Sequence, residues 1–118
     1  MDNRDLNLLI VKKFPKLESK YIEETNWQEG DDTGSHVIYG DVFTPYLINC
    51  IENKDKEKMK ELFAYIEFLI GLEDEYINEV VTVSILLSIK HFFLENENLI
   101  DLLGKNTKIL YDNLKYLT

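Results

Sequence analysis

Apolar residues along this chain recur at three- and four-residue spacing far more often than at alternate positions. The clearest case begins in the stretch GSHVIYGDVFTPYL. Tyr39, Val42, Phe43, Tyr46, Leu47, Cys50 and Ile51 follow i, i+3, i+4, i+7, i+8, i+11, i+12, which is the stripe of one helix face. Strand alternation fails, because Val42 and Phe43 are adjacent, as are Tyr46 and Leu47. The phase does not slip across Pro45. We therefore expect one helix from about His36 to Glu52, with Ser35 as N-cap, bent where Pro45 frees the carbonyl of Asp41. The alternative is a break, with Thr44 capping a new helix that has Pro45 at its first position.

The same reading extends along the chain. A first helix is expected from about Asp5 to Lys13 after Asn3 as cap. A second starts at Pro15 and runs to about Trp27, with Leu17, Tyr21, Ile22 and Thr25 on one face. Residues 28–34, QEGDDTG, form the clearest loop. It lacks the alternating acids and distal Glu of a calcium loop. After a turn at Asn53 to Asp55, a helix from Lys56 to Leu72 buries Met59, Leu62, Phe63, Ile66, Leu69 and Ile70. Glu73-Asp74-Glu75 starts the next helix with acids at its positive end, and this helix runs to about Leu94. Its middle, VVTVSILLSI, is apolar nearly all round and predicts the most buried helix, with Ser84 and Ser88 admitting a close neighbour. A short helix is expected from Asn98 to Leu103, stopping at Gly104. Thr107 is expected to cap a last one ending near Tyr116. The prediction is an all-α, single-domain fold of about seven helices stacked as antiparallel hairpins.

Composition agrees with this picture. The chain has 118 residues, 45% of them apolar, and only five Gly and two Pro. That suffices for one core without disulfide or metal. The single cysteine, Cys50, lies on the helix stripe and reads as a small buried hydrophobe. The start, MDNRDLNLLIVKKF, has no signal-peptide apolar core, and the longest uncharged run, Val80 to Ile89, is ten residues. A cytoplasmic protein with no membrane span is expected.

Charge narrows the partners. The net charge is −9, which repels phosphate backbones and argues against nucleic acid. It would steer a basic protein toward the chain. Between Glu61 and Glu79 there are six acids and no base.

Candidate chemistry is sparse. His91 and Glu95 share a helix face but lack the further ligands of a metal site, and nothing calls for a cofactor. Glu67 lies at the edge of an apolar face, where desolvation would raise its pKa. With Tyr39, Asp41 and His91 it could line a pocket between helices, so a small-ligand binder or enzyme around Glu67 is the alternative reading. Its bland reading is a boundary residue reaching solvent or capping a neighbour. No nucleophile motif or phosphate-binding Gly loop is present.

Two acidic turns carry the stronger signal. Alternating helices would bring Glu29, Asp31 and Asp32 to the same end as Glu73, Asp74 and Glu75. Trp27 borders that end, and a Trp with a charged rim suits protein contact. A non-enzymatic protein-binding module follows, with homodimerisation a further possibility.

The order HVIYGDVFTPYL, KMKELFAYIEFL, DEYINEVVTVSILLSI and LLGKNT resembles an uncharacterised bacterial family of small acidic all-helical proteins. That family is similar to polymorphic-toxin immunity-type proteins. The resemblance covers about residues 36 to 114 and brings no catalytic residue. It implies a protein that binds and neutralises a basic toxin domain.

Overall fold

The computed structural model describes residues 1–114, and all regular structure among them is helical. Helix α1 spans Asn3–Lys13. Asp2, rather than the expected Asn3, caps it by accepting the Asp5 N–H at 2.9 Å. Asn3 is thereby left for tertiary bonds. Pro15 opens a single 3-10 turn, Pro15–Leu17, that leads into α2, Glu18–Thr25. Helix α2 stops short of Trp27, and the Thr25 hydroxyl turns back to the Tyr21 carbonyl at 2.9 Å. Leu17, Tyr21 and Thr25 face inward as expected, but Ile22 is 46% exposed. The i, i+4 series through 17, 21 and 25 defines the inner face, and Ile22 is rotated off it.

Helix α3 covers 35–52 without a break at Pro45. The accommodation is a π-turn at Tyr39–Phe43, in which the Thr44 N–H reaches the Tyr39 carbonyl five residues back. In this wider register the donor that Pro45 lacks would have served Gly40, not Asp41 as expected. Gly34, not Ser35, holds the N-cap position. Ser35 is fully buried, and its hydroxyl donates to Asn7 Oδ1 at 2.8 Å.

Helix α4, Lys56–Ile70, is capped by Asp55. Met59, Leu62, Phe63, Ile66 and Leu69 are buried as expected, whereas Ile70 is only partly covered. Tyr65, off the expected stripe, is also buried, because its ring meets Phe14 at 5.3 Å and Phe43 at 5.6 Å. Helix α5 spans Glu75–Glu95 and contains a second π-turn, Val81–Leu86. By length and composition α5 is apolar enough to cross a membrane. Its inner residues Val80, Val81, Ile85, Leu86 and Ile89 form the centre of the core. The expectation of burial all round is corrected, since Val83, Leu87 and Ser88 face outward. Helices α3 and α4 and the last helix cover only part of its circumference.

A 3-10 segment, Glu97–Leu102, replaces the short α-helix expected there. The last helix, α6, is Lys105–Leu114. The expected end near Tyr116 lies outside the described residues. Thr107 sits inside α6 and does not cap it.

The two π-turns meet where α3 crosses α5. Thr44 Oγ1 lies 2.7 Å from the Ser84 carbonyl and 2.8 Å from that of Tyr39. Ser84 Oγ and His36 Nδ1 are 2.8 Å apart. Ser84 thus meets a neighbour closely, as expected, whereas Ser88 does not.

Candidate functional site

The two acidic turns flank the first turns of α1, whose polar residues fasten both. The first turn follows α2 and contains the 3-10 segment Gly30–Asp32, entered by Gly30 at φ 61°. Only Gly adopts that conformation without steric cost. The turn is anchored from below by Asn7, which is fully buried. Its Nδ2 donates to the carbonyls of Asp31 at 3.0 Å and Thr33 at 2.6 Å, while its Oδ1 accepts from Ser35. A buried Asn with every bond made holds one geometry, because leaving any unmade is costly. From above, the Arg4 guanidinium forks onto Asp32 at 3.0 and 3.1 Å, and Asp31 lies 3.6 Å away. Hydrogen bonding to Arg4 holds the Asp32 carboxyl below its ordinary range. Burial, then the bond to Asp31 at 2.8 Å, pushes the Tyr21 phenol well up.

The second turn follows α4. Glu73 takes a left-handed conformation, φ 55°, and Asp74 caps α5 by accepting from Tyr76 N at 2.8 Å and Ile77 N at 3.1 Å. The Met1 amino group lies 3.0 Å from Asp74, and this bond, with the backbone donors, lowers the Asp74 carboxyl. Asn3 ties the two turns together, since its Oδ1 accepts from Tyr76 Oη at 2.6 Å and from the Ser35 N–H at 3.0 Å.

Of the seven residues singled out from sequence, Asp31, Asp32 and Asp74 are engaged within the chain. Glu29, Glu73 and Glu75 are exposed and have no ion-pair partner among the described residues. Trp27 is 72% exposed on the same loop as Glu29, so it is no core residue. Beside the second turn, a hollow of about 310 Å³ is lined by Glu73, Glu75, Asn78 and Asn106. The Asn78 Oδ1 atom is buried without a hydrogen-bond partner among the described residues. Asn7 and Arg4, which organise the first turn, carried no sequence signal, because an Asn and an Arg on a mixed helix face read as surface.

The groups proposed around Glu67 lie apart. Glu67 caps α6: its carboxylate accepts the Asn106 N–H at 3.1 Å, and the Thr107 N–H and hydroxyl at 2.9 and 2.7 Å. Burial alone would raise its pKa, but these bonds outweigh it and lower the carboxyl below its ordinary range. Tyr39 is buried, donating to the Leu6 carbonyl at 2.8 Å and meeting Tyr65 Oη at 2.8 Å. Asp41 is exposed and faces Glu24, whose carboxyl is raised by desolvation and then by Asp41. His91 is exposed and lies against Phe92, with ring centroids 4.1 Å apart and the planes tilted by 36°. Cys50 is buried, and burial followed by Asp55 pushes its thiol up, away from thiolate chemistry. Among the described residues no group of three His, Cys, Asp or Glu is placed to hold a metal.

His36 joins Ser84 to Glu79, whose Oε1 lies 3.6 Å from His36 Nε2. This has the composition of a serine–histidine–acid relay. The Ser84 hydroxyl, however, is buried in the α3–α5 crossing, and the three residues line none of the hollows described here.

Residues 7–117 match a family described as a domain of unknown function, DUF7674. The chain belongs to that family. No curated protein and no solved structure matches it. The DUF7674 match begins at Asn7, the anchor of the first acidic turn, and extends past α6.

Proposed function

We propose that this DUF7674 protein is a non-enzymatic binding module that recognises a basic protein partner. It does so with the end of the bundle formed by Trp27, Glu29 and the Glu73–Glu75 turn. The observation that carries this reading is Trp27, 72% exposed on a loop that the buried Asn7 holds in place. An exposed aromatic on a pre-ordered loop supplies contact area at little ordering cost. The free carboxylates of Glu29, Glu73 and Glu75 supply charge complementarity, which governs encounter rate and orientation. The hollow beside Glu73 suits the tip of a Lys or Arg side chain, with Glu73 and Glu75 on its lining.

Within this proposal the protein is bacterial, cytoplasmic and of the immunity type, and its partner is a basic toxin domain. The net charge of −9 and the engagement of Glu67 as the cap of α6 support that reading. Affinity capture from the native host, read by mass spectrometry, tests it. A basic protein should be recovered with the wild type and lost with Trp27→Ala combined with Glu29→Lys and Glu73→Lys. Recovery of no basic partner, or equal recovery with the triple variant, overturns the proposal.

A further inference from the structure

A second concave surface lies away from the acidic end, between α1 and α4. Leu9, Lys12 and Lys13 of α1 face Glu61, Ala64, Tyr65 and Phe68 of α4 across a groove of about 460 Å³. The spacings, i, i+3, i+4 on one wall and i, i+3, i+4, i+7 on the other, keep each set on one helix face. Four of these residues make an apolar floor. Phe68 is 52% exposed, although it stacks on Tyr65 with centroids 6.3 Å apart and an interplanar angle of 29°. The Tyr65 hydroxyl is turned inward to Tyr39, so the groove is offered only the ring. Ala64 is exposed, and its small side chain leaves the floor open.

The α1 wall of the groove carries positive charge on a net-acidic chain. The chain has 22 acids against 13 Lys and Arg, yet the α1 wall presents two adjacent lysines. Neither has an ion-pair partner among the described residues. Glu61 stands on the opposite wall. A volume of this order, an apolar lining and a few charged groups at the rim are the features of a small-molecule site.

We propose that this groove binds a small amphiphilic carboxylate. Its aromatic or short acyl body lies on Leu9, Ala64, Tyr65 and Phe68, and its carboxylate is directed to the α1 wall by Lys12 and Lys13. Glu61 repels the anion from the α4 wall, which fixes the direction of binding. A hydroxyl or amide N–H on the ligand would find its acceptor in Glu61. This site is independent of the acidic end.

The test uses the full chain and 8-anilinonaphthalene-1-sulfonate, an aromatic anion whose fluorescence rises in apolar surroundings. Decanoate should displace it, and decyltrimethylammonium should compete at least about tenfold more weakly. Lys12→Gln with Lys13→Gln should weaken the dye and decanoate about tenfold, while Lys105→Gln with Lys108→Gln leaves both unchanged. Ala64→Glu, which adds bulk and negative charge to the floor at an exposed position, should abolish binding. Circular dichroism melts matching wild type would show that the variants are folded. Amide shifts on decanoate binding should centre on Leu9, Ala64 and Phe68. Absence of dye binding overturns the proposal, as does binding that survives Ala64→Glu. Equal affinity for the cationic amphiphile, or shifts centred on Met59 and Phe92, overturns it as well.

Discussion

The carboxylate of Glu67 receives both the backbone N–H and the hydroxyl of Thr107, a residue 40 positions further along the chain. A side chain of α4 thus closes the N-terminus of α6, where a cap would ordinarily come from the residue just before the helix. Loss of this contact should cost about 1 kcal/mol, as loss of a helix cap does. Glu67→Ala should lower the midpoint of chemical denaturation accordingly, with an unchanged denaturant slope.

The same group gives a pH dependence. Its folded pKa is lowered from the ordinary value. The stabilisation is therefore complete above the unfolded value, about 4.3, and is lost as the pH falls through the folded one. Glu67→Gln should flatten the acid limb of a stability–pH profile below about pH 4.3. An acid limb as steep as that of the wild type would show that Glu67 does not contribute through its charge.

Glycines 104 and 40 should respond in opposite ways. A Cβ at Gly104 would land on the Glu67 carboxylate and force the cap to leave. Gly104→Ala should then cost about as much as Glu67→Ala, near 1 kcal/mol, and the two should not add in a double mutant. At Gly40 a Cβ would meet Ser84 Cβ at 3.9 Å, an ordinary contact. Gly40→Ala in the α3 interior should be neutral or stabilising by about 0.5–1 kcal/mol. Thermal melts of both variants check the contrast.

The buried tyrosines form a directional chain. Tyr39 spends its proton on the Leu6 carbonyl, so Tyr65 is the donor to Tyr39. Burial pushes the Tyr65 phenol up to about 12. Tyr39→Phe leaves the Tyr65 hydroxyl without its acceptor, at a cost of about 1–3 kcal/mol. Tyr65→Phe removes only a donor and should cost less. The order of the two melting temperatures decides.

Asn7 separates stability from recognition. Asn7→Ala unties Asp31, Thr33 and Ser35 at once and should cost about 2 kcal/mol or more. Hydrogen exchange should rise across 29–34. Trp27→Ala, at an exposed position, should change stability by no more than about 0.5 kcal/mol. A large loss of stability at Trp27 would mean that it supports the fold and is not a free contact residue.

Periodicity determined the helical class and most of the inner faces of α3 and α4, and it favoured a continuous α3 over a break at Pro45. Each of these depends on residues three and four apart, which the chain order itself displays. Charge order likewise located the two acidic turns. The tertiary structure alone decided which of those acids remain free, because Arg4, Asn7 and the Asp74 cap act on the turns from elsewhere in the chain. It also decided that α5 keeps one face open, since burial depends on how much of a helix its neighbours cover. Glu67 shows the limit most directly. Its place at the edge of an apolar face was readable from spacing, and that place fitted a desolvated acid, a residue reaching solvent or a cap. The choice rested on α6 arriving beside it with two free N–H groups and a hydroxyl, and only the packing of α6 against α4 sets that geometry.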